Sequence, residues 1–112
     1  MNSDCVFCKI ISGEIPRKFE YEDSEVVVFD SNKPQAAHHL LVIPKEHIST
    51  FRDLGENSGQ LILKMVFAAN KMINDKNLSD GYKLFINGGK YQKVPHLHLH
   101  LLSGKFKHEG GL

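Results

Sequence analysis

The run Val94-Pro95-His96-Leu97-His98-Leu99-His100-Leu101-Leu102 constrains this chain more than any other stretch. Three of the seven histidines stand there at alternate positions, with leucines between them. Residues two apart point to nearly opposite sides of a helix but share one face of a strand. The alternation therefore predicts a strand, with neighbouring imidazoles roughly 6.7 Å apart on one side. Leu97, Leu99 and Leu101 would enter the core from the other side. That spacing is too long for direct ring-to-ring hydrogen bonds, but a phosphate, a metal or another side chain fits between. Neutral imidazole is a nucleophile and a metal ligand, and its N–H donates to phosphate oxygens. One histidine on a half-buried strand needs no functional explanation; three in strict alternation favour one.

At 112 residues the chain is expected to form one domain, residues 1–112, around a single core. Hydrophobic residues make up 41%, charged residues 24%, and the formal net charge is +1. No basic or acidic excess points to nucleic acid or to an anionic membrane. No apolar run approaches the ~18 residues of a membrane span, and Met1-Asn2-Ser3-Asp4 lacks the basic and apolar regions of a signal peptide. The expectation is a cytoplasmic protein without nucleic-acid or membrane partners. Cys5 and Cys8 alone do not make a disulfide framework.

Ser3 or Asp4 can cap a short helix running to Ile11 and stopped by Ser12-Gly13. Lys18–Glu22 and Glu25–Asp30 read as a hairpin turning at Asp23-Ser24. His39–Pro44 is apolar almost throughout, as expected of a strand buried on both faces. A long helix is expected from an Asp53 cap with Glu56 as its capping-box partner. Its apolar stripe is Leu61, Ile62, Met65, Val66, Ala69, Met72 and Ile73, with Asn77 at the exit. Tyr82–Asn87 reads as another strand and Gly88-Gly89-Lys90 as a turn, while the tail Ser103–Leu112 reads as mobile. This order predicts an α+β domain with helices on one face of an antiparallel meander.

The stretch His96-Leu97-His98-Leu99-His100-Leu101-Leu102 resembles the His-φ-His-φ-His-φ-φ signature of the histidine triad (HIT) family, where φ is apolar. Asp4-Cys5-Val6-Phe7-Cys8-Lys9-Ile10-Ile11-Ser12-Gly13-Glu14-Ile15-Pro16 is similar to that family's N-terminal block. Pro34-Gln35 through His39-Leu40-Leu41-Val42-Ile43-Pro44-Lys45-Glu46-His47-Ile48 is similar to its middle strand. Within the family, the chain most resembles the Hint-like nucleoside phosphoramidate hydrolases. The resemblance implies a five-stranded antiparallel sheet with two helices, paired into a homodimer. It implies a purine nucleoside monophosphate derivative as substrate, attacked at phosphorus by His98 to form a nucleotidyl-histidine that water hydrolyses. His96 and His100 flank the nucleophile, His39 joins the cluster, and Asn87, Gln92 and Lys93 fall on the phosphate and leaving-group side. No organic cofactor is implied.

The loop before the middle strand departs from the family pattern. Relatives carry an aspartate that binds both ribose hydroxyls; here Ser31 takes its place, with Asp30 one residue early and Asn32 one residue late. Lys93 stands where relatives often have serine, which would favour a more anionic leaving group. The loop between Asn87 and His96 is two residues shorter than in close relatives, and the tail has no tryptophan.

Cys5-x-x-Cys8 has zinc-ligand spacing, and it also suits two small buried cysteines or a redox pair, although the βαβ setting of a redox pair is absent. The resemblance supplies two further ligands, His47 and His96, giving a closed, structural Cys2His2 zinc site. Three other functions compete with phosphoramidate hydrolysis. They are a metal-dependent β-barrel or storage module using all three strand histidines, a nucleotide-binding adaptor with weak catalysis, and a dinucleoside polyphosphate hydrolase.

Overall fold

A computed structural model describes residues 4–107. The elements are α1 (Val6–Ile11), β1 (Tyr21–Glu22), β2 (Val26–Asp30), β3 (Ala36–Pro44), α2 (Gly59–Asp75), β4 (Tyr82–Phe85) and β5 (Leu99–Phe106). The strands form one antiparallel sheet in the order β1-β2-β3-β5-β4. The architecture is α+β, with five strands and two helices.

The helices lie on opposite faces of this sheet rather than on one. Val26, Val28, Leu40, Val42, Leu97 and Leu101 pack with Met65, Ala68, Ala69, Met72 and Ile73 of α2. Val27, Phe29, Leu41 and Ile43 pack with Cys5, Phe7, Cys8 and Ile10 of α1. The period-2 alternation of a strand sends neighbouring residues to opposite faces, so the continuous run Val26-Val27-Val28-Phe29 feeds both cores. Helix α1 thus covers the side of the sheet that carries the histidines.

Several boundaries differ from the sequence-based expectation. Cys5, not Ser3 or Asp4, caps α1: its Sγ accepts the Cys8 N–H at 3.4 Å. Ser3 lies outside the described residues. Asp53 does not cap the long helix; its carboxylate accepts from the Thr50 N–H and hydroxyl, at 3.1 and 2.9 Å, around a separate 3-10 turn. A second 3-10 turn, Glu56–Ser58, precedes α2. Val66, expected on the buried stripe, is 43% exposed. Asn77 ends α2 as expected, with φ of 58°.

The histidine run enters the sheet late. Pro95 has no N–H to offer a ladder, and the Leu97 N–H reaches the Ile48 carbonyl at 2.7 Å. Regular pairing starts at Leu99 and continues through Phe106, so Ser103–Phe106 of the tail expected to be mobile belong to the sheet. Ser103 pairs with both His38 and Tyr82. The strand survives a bulge there because residue 104 is glycine. Its φ is +86°, and a Cβ would lie 2.8 Å from that of Ala37. The remainder of the expected mobile tail, residues 108–112, lies outside the described residues.

Candidate active site and metal centre

Two constellations share the segment that leads into β5. In the first, α1 presents Cys5 and Cys8 from its opening turn, His47 follows β3, and His96 precedes β5. Cys5 Sγ lies 3.3 Å from His96 Nδ1, and Cys8 Sγ lies 3.3 Å from His47 Nδ1 and 3.6 Å from His96 Nδ1. The two Nδ1 atoms are 3.2 Å apart. All four ligand atoms fall within 4.8 Å of one another. A tetrahedral zinc bound by two thiolates and two imidazoles has N···N and S···N edges of about 3.3–3.6 Å.

The outer nitrogens bear on whether a cation suits these groups. His96 Nε2 lies 2.8 Å from the Pro44 carbonyl, which can only accept, so Nε2 carries the proton and Nδ1 presents a lone pair. His47 Nε2 lies 3.2 Å from Ser49 Oγ, a hydroxyl that can accept its proton when Nδ1 serves as a ligand. With both Nδ1 atoms bare and 3.2 Å apart, a cation between them would offset the repulsion of their lone pairs. Burial pushes the Cys5 thiol up from its ordinary range, a cost that a coordinating metal reverses by deprotonating the thiol. Cys5, Cys8, His47 and His96 are close enough to hold a metal ion, and their chemistry suits one.

The second constellation is a cavity of about 650 Å³ on the α1 side of the sheet. His39, His98, His100, Ser31, Asn32, Asn87 and Lys93 all line it. Its apolar wall is Val6, Phe7, Ile10, Phe29, Leu41 and Phe85. Asp30 and Gln92 do not line it. Asp30 is exposed, and its carbonyl accepts from Arg17 Nη1 at 2.9 Å. Gln92 Nε2 donates to the Ser49 and Val94 carbonyls, at 2.7 and 3.0 Å, and so anchors the loop from behind.

Backbone partners set the imidazole tautomers here too. His98 Nδ1 lies 2.7 Å from the His96 carbonyl and must donate to it, so its Nε2 keeps the lone pair. The Gln35 N–H donates to His39 Nδ1 at 3.0 Å, so His39 carries its proton on Nε2. That proton is donated to His100 Nδ1 at 2.9 Å, which puts the His100 proton on Nε2. His100 Nε2 is buried and has no hydrogen-bond partner among the described residues. A buried N–H without an acceptor is costly, and an anionic oxygen in the cavity would satisfy it. The site therefore sets a free imidazole lone pair beside an unsatisfied N–H donor, and the two rings' centroids are 4.8 Å apart.

Burial keeps these rings neutral. It lowers the affinity of His98 and His39 for a second proton, with the His98 charge a further cause at His39. His100 is pushed down to about 3, by burial first and then by the nearness of His98 and His39. Phe85 stacks on the His100 ring at 4.7 Å and 13°, and Phe7 meets His98 edge-on at 5.1 Å.

This geometry has close counterparts among known proteins. A family model described as "Scavenger mRNA decapping enzyme C-term binding" matches residues 4–111. Protein HitA of Neisseria gonorrhoeae is 40% identical over 101 residues, spanning 88% of this chain and 94% of HitA. The chain belongs to the histidine triad family. The crystal structure of a HIT family hydrolase from Legionella pneumophila Philadelphia 1 matches this HIT chain with a TM-score of 0.88 at 39% identity. It covers 95% of this chain and 97% of the Legionella chain. A HIT family hydrolase from Clostridium thermocellum matches with a TM-score of 0.90 at 39% identity, covering 100% and 97%.

Some cavity residues escaped the sequence reading. Phe85 stands two residues before Asn87, so strand periodicity alone put both on the same face. Tyr91, 66% exposed, lines the cavity from a 3-10 turn. Arg17 belongs to no periodic pattern, and the Gln35 contact is made by a backbone amide. Neither leaves a mark in the sequence.

Proposed function

We propose that this HIT protein is a hydrolase of nucleoside 5′-monophosphate derivatives, of the phosphoramidate or acyl-adenylate type, acting through a covalent intermediate on His98. The observation that carries the reading is the pairing of tautomers: a bare Nε2 on His98 beside an unsatisfied Nε2–H on His100. Nucleophilic phosphoryl transfer requires both, an attacking lone pair and a donor aimed at the phosphate oxygens.

In this reading the His98 Nε2 lone pair forms a bond to phosphorus. The leaving group departs with the pair from the bond that breaks and takes a proton from water. The charge that develops on the ring is stabilised by Nδ1–H donating to the His96 carbonyl. His100 donates from Nε2 to a non-bridging oxygen, and His39 holds His100 in the required tautomer. Water then attacks phosphorus and gives its proton to the hydroxide left by the first step; the P–Nε2 bond breaks, its pair returns to His98, and the nucleoside monophosphate leaves. The apolar wall suits a purine; Asn87 and Lys93 flank the phosphate, and Ser31 and Asn32 the sugar. HIT relatives named as hydrolases support the reaction class.

The metal is zinc in this reading. Two thiolates and two imidazoles form a closed four-ligand set of the kind zinc takes in structural sites, and they would tie α1 to the end of the catalytic segment. The chain works as a homodimer, supported by Leu63 and Phe67 of α2, which are 51% and 61% exposed, and by β4, which leaves one edge of the sheet unpaired.

Intact-mass spectrometry during turnover of an adenosine phosphoramidate tests the chemistry. A transient nucleotidyl adduct is expected on the wild-type chain and not on His98→Ala. Turnover without any adduct, or an adduct persisting in His98→Ala, overturns the assignment.

A further inference from the structure

We propose that Arg17, with Lys33 also on the cavity wall, forms an anion subsite at the nucleoside end of the cavity, suited to a phosphate carried on the sugar. The inference rests on the nucleotide reading above and narrows its substrate class.

The cavity lining holds three cations, Arg17, Lys33 and Lys93, and no aspartate or glutamate. Among the described residues, no ion pair engages any of the three. Arg17 is held in place. Its guanidinium lies over the Phe29 ring, 5.0 Å from the centroid, and Nη1 donates to the Asp30 carbonyl at 2.9 Å. That carbonyl carries no formal charge, so the cation is positioned but not neutralised. A fixed guanidinium with spare N–H donors is a strong phosphate partner.

The sheet register shows that the phosphate undergoing reaction is not what Arg17 is placed to meet. Phe29, Leu41, His100 and Phe85 form one row across β2, β3, β5 and β4. Phe29 is two strands from His100, which is roughly 10 Å at the usual spacing. A nucleotide whose phosphate sits at His98 and His100 spans that gap with its sugar, and a group on the sugar's far side reaches Arg17. Ser31, next to the Asp30 anchor, lines the same region. It brings no carboxylate, and its Oγ accepts from the Lys33 N–H at 3.2 Å. This end of the cavity carries positive charge where a free sugar hydroxyl would call for an acceptor.

The test is direct binding by calorimetry, comparing adenosine 3′,5′-bisphosphate and adenosine 2′,5′-bisphosphate with adenosine 5′-monophosphate. The zinc-loaded chain is expected to bind one bisphosphate at least about tenfold more tightly than the monophosphate, and the preferred isomer locates the anion. The preference should shrink as salt rises from about 0.05 to 0.5 M, because this end of the cavity is open to screening. Arg17→Gln should bring the ratio close to one, and Arg17→Lys should restore part of it. Equal binding of all three nucleotides by the wild type overturns the subsite and leaves the nucleotide reading standing. An equal loss for all three in Arg17→Gln would instead make Arg17 a platform for the base. If no nucleotide binds, the nucleotide reading itself fails.

Discussion

The candidate metal centre and the cavity both draw imidazoles from the stretch His96–His100, yet they orient them in opposite ways. At His96 the ring N–H turns outward to the Pro44 carbonyl and the lone pair turns inward, toward His47 Nδ1 and two sulfurs. At His98, two residues on, the N–H turns back to the His96 carbonyl and the lone pair turns to the cavity. At His100 a relay from the Gln35 amide through His39 leaves an N–H free. In the proposed function one imidazole is a ligand, one a nucleophile and one a donor. Which nitrogen reaches which backbone carbonyl or amide decides the role.

This division of labour makes the two constellations separable by experiment. The largest effect belongs to His98→Ala, which should lower kcat by at least about a thousandfold, the scale seen when a catalytic nucleophile is removed. Its melting temperature should stay within a few degrees and its zinc content should be unchanged. A variant that loses metal along with activity would merge the two sites.

Removing the metal should do the converse. A chelator, or Cys8→Ser, is expected to cost several kcal/mol of stability, which for a domain of this size lowers the melting temperature by more than about 10 °C. Thermal denaturation with and without added zinc measures it. A chelated chain that melts like the loaded one would reduce the cluster to buried cysteines.

His39 tests the relay. His39→Ala removes the donor that holds the His100 tautomer, and kcat should fall by roughly 10- to 100-fold with KM nearly unchanged. His39→Gln, whose amide can still donate to His100 Nδ1, should recover part of that loss. Equal activity in His39→Ala and wild type would show that His100 orients itself.

The smallest effect is a pH slope. His100 is held down to about 3 in the folded chain, against an ordinary value of 6.5. Between those limits the unfolded chain binds a proton that the folded chain does not. His100 therefore contributes stability that is present above pH 6.5 and is lost as pH falls toward 3. The slope is about 1.4 kcal/mol per pH unit at most. Urea unfolding at pH 7, 6 and 5 should show a steeper loss in wild type than in His100→Asn. Parallel slopes would place His100 in a wetter setting than the fold implies.

Much of this was legible in the amino-acid order. The alternation of histidine and leucine determined that one face of the strand would carry the imidazoles, and Leu97 and Leu101 are fully buried on the other. The triad signature and the two blocks before it determined the family and the five-strand, two-helix fold. The same resemblance named Cys5, Cys8, His47 and His96, whose ligand atoms the fold gathers within 4.8 Å. Such features are legible because side-chain periodicity and motif spacing are local properties of the chain.

What only the tertiary structure decided is whatever depends on partners far away in sequence. Helix α1 covers the opposite sheet face from α2: the apolar runs of β2 and β3 show two buried faces, but not which helix covers which. Residues 103–106 extend the sheet because Gly104 passes Ala37 through a bulge. Gln92 turns away from the cavity to the carbonyls of Ser49 and Val94, while Arg17 is carried to its wall by the Asp30 carbonyl and the Phe29 ring. The tautomers of all three triad histidines are set by backbone atoms of Pro44, His96 and Gln35. A backbone carbonyl or amide is the same in every residue type, so its hold on a ring becomes visible only when the chain has folded around it.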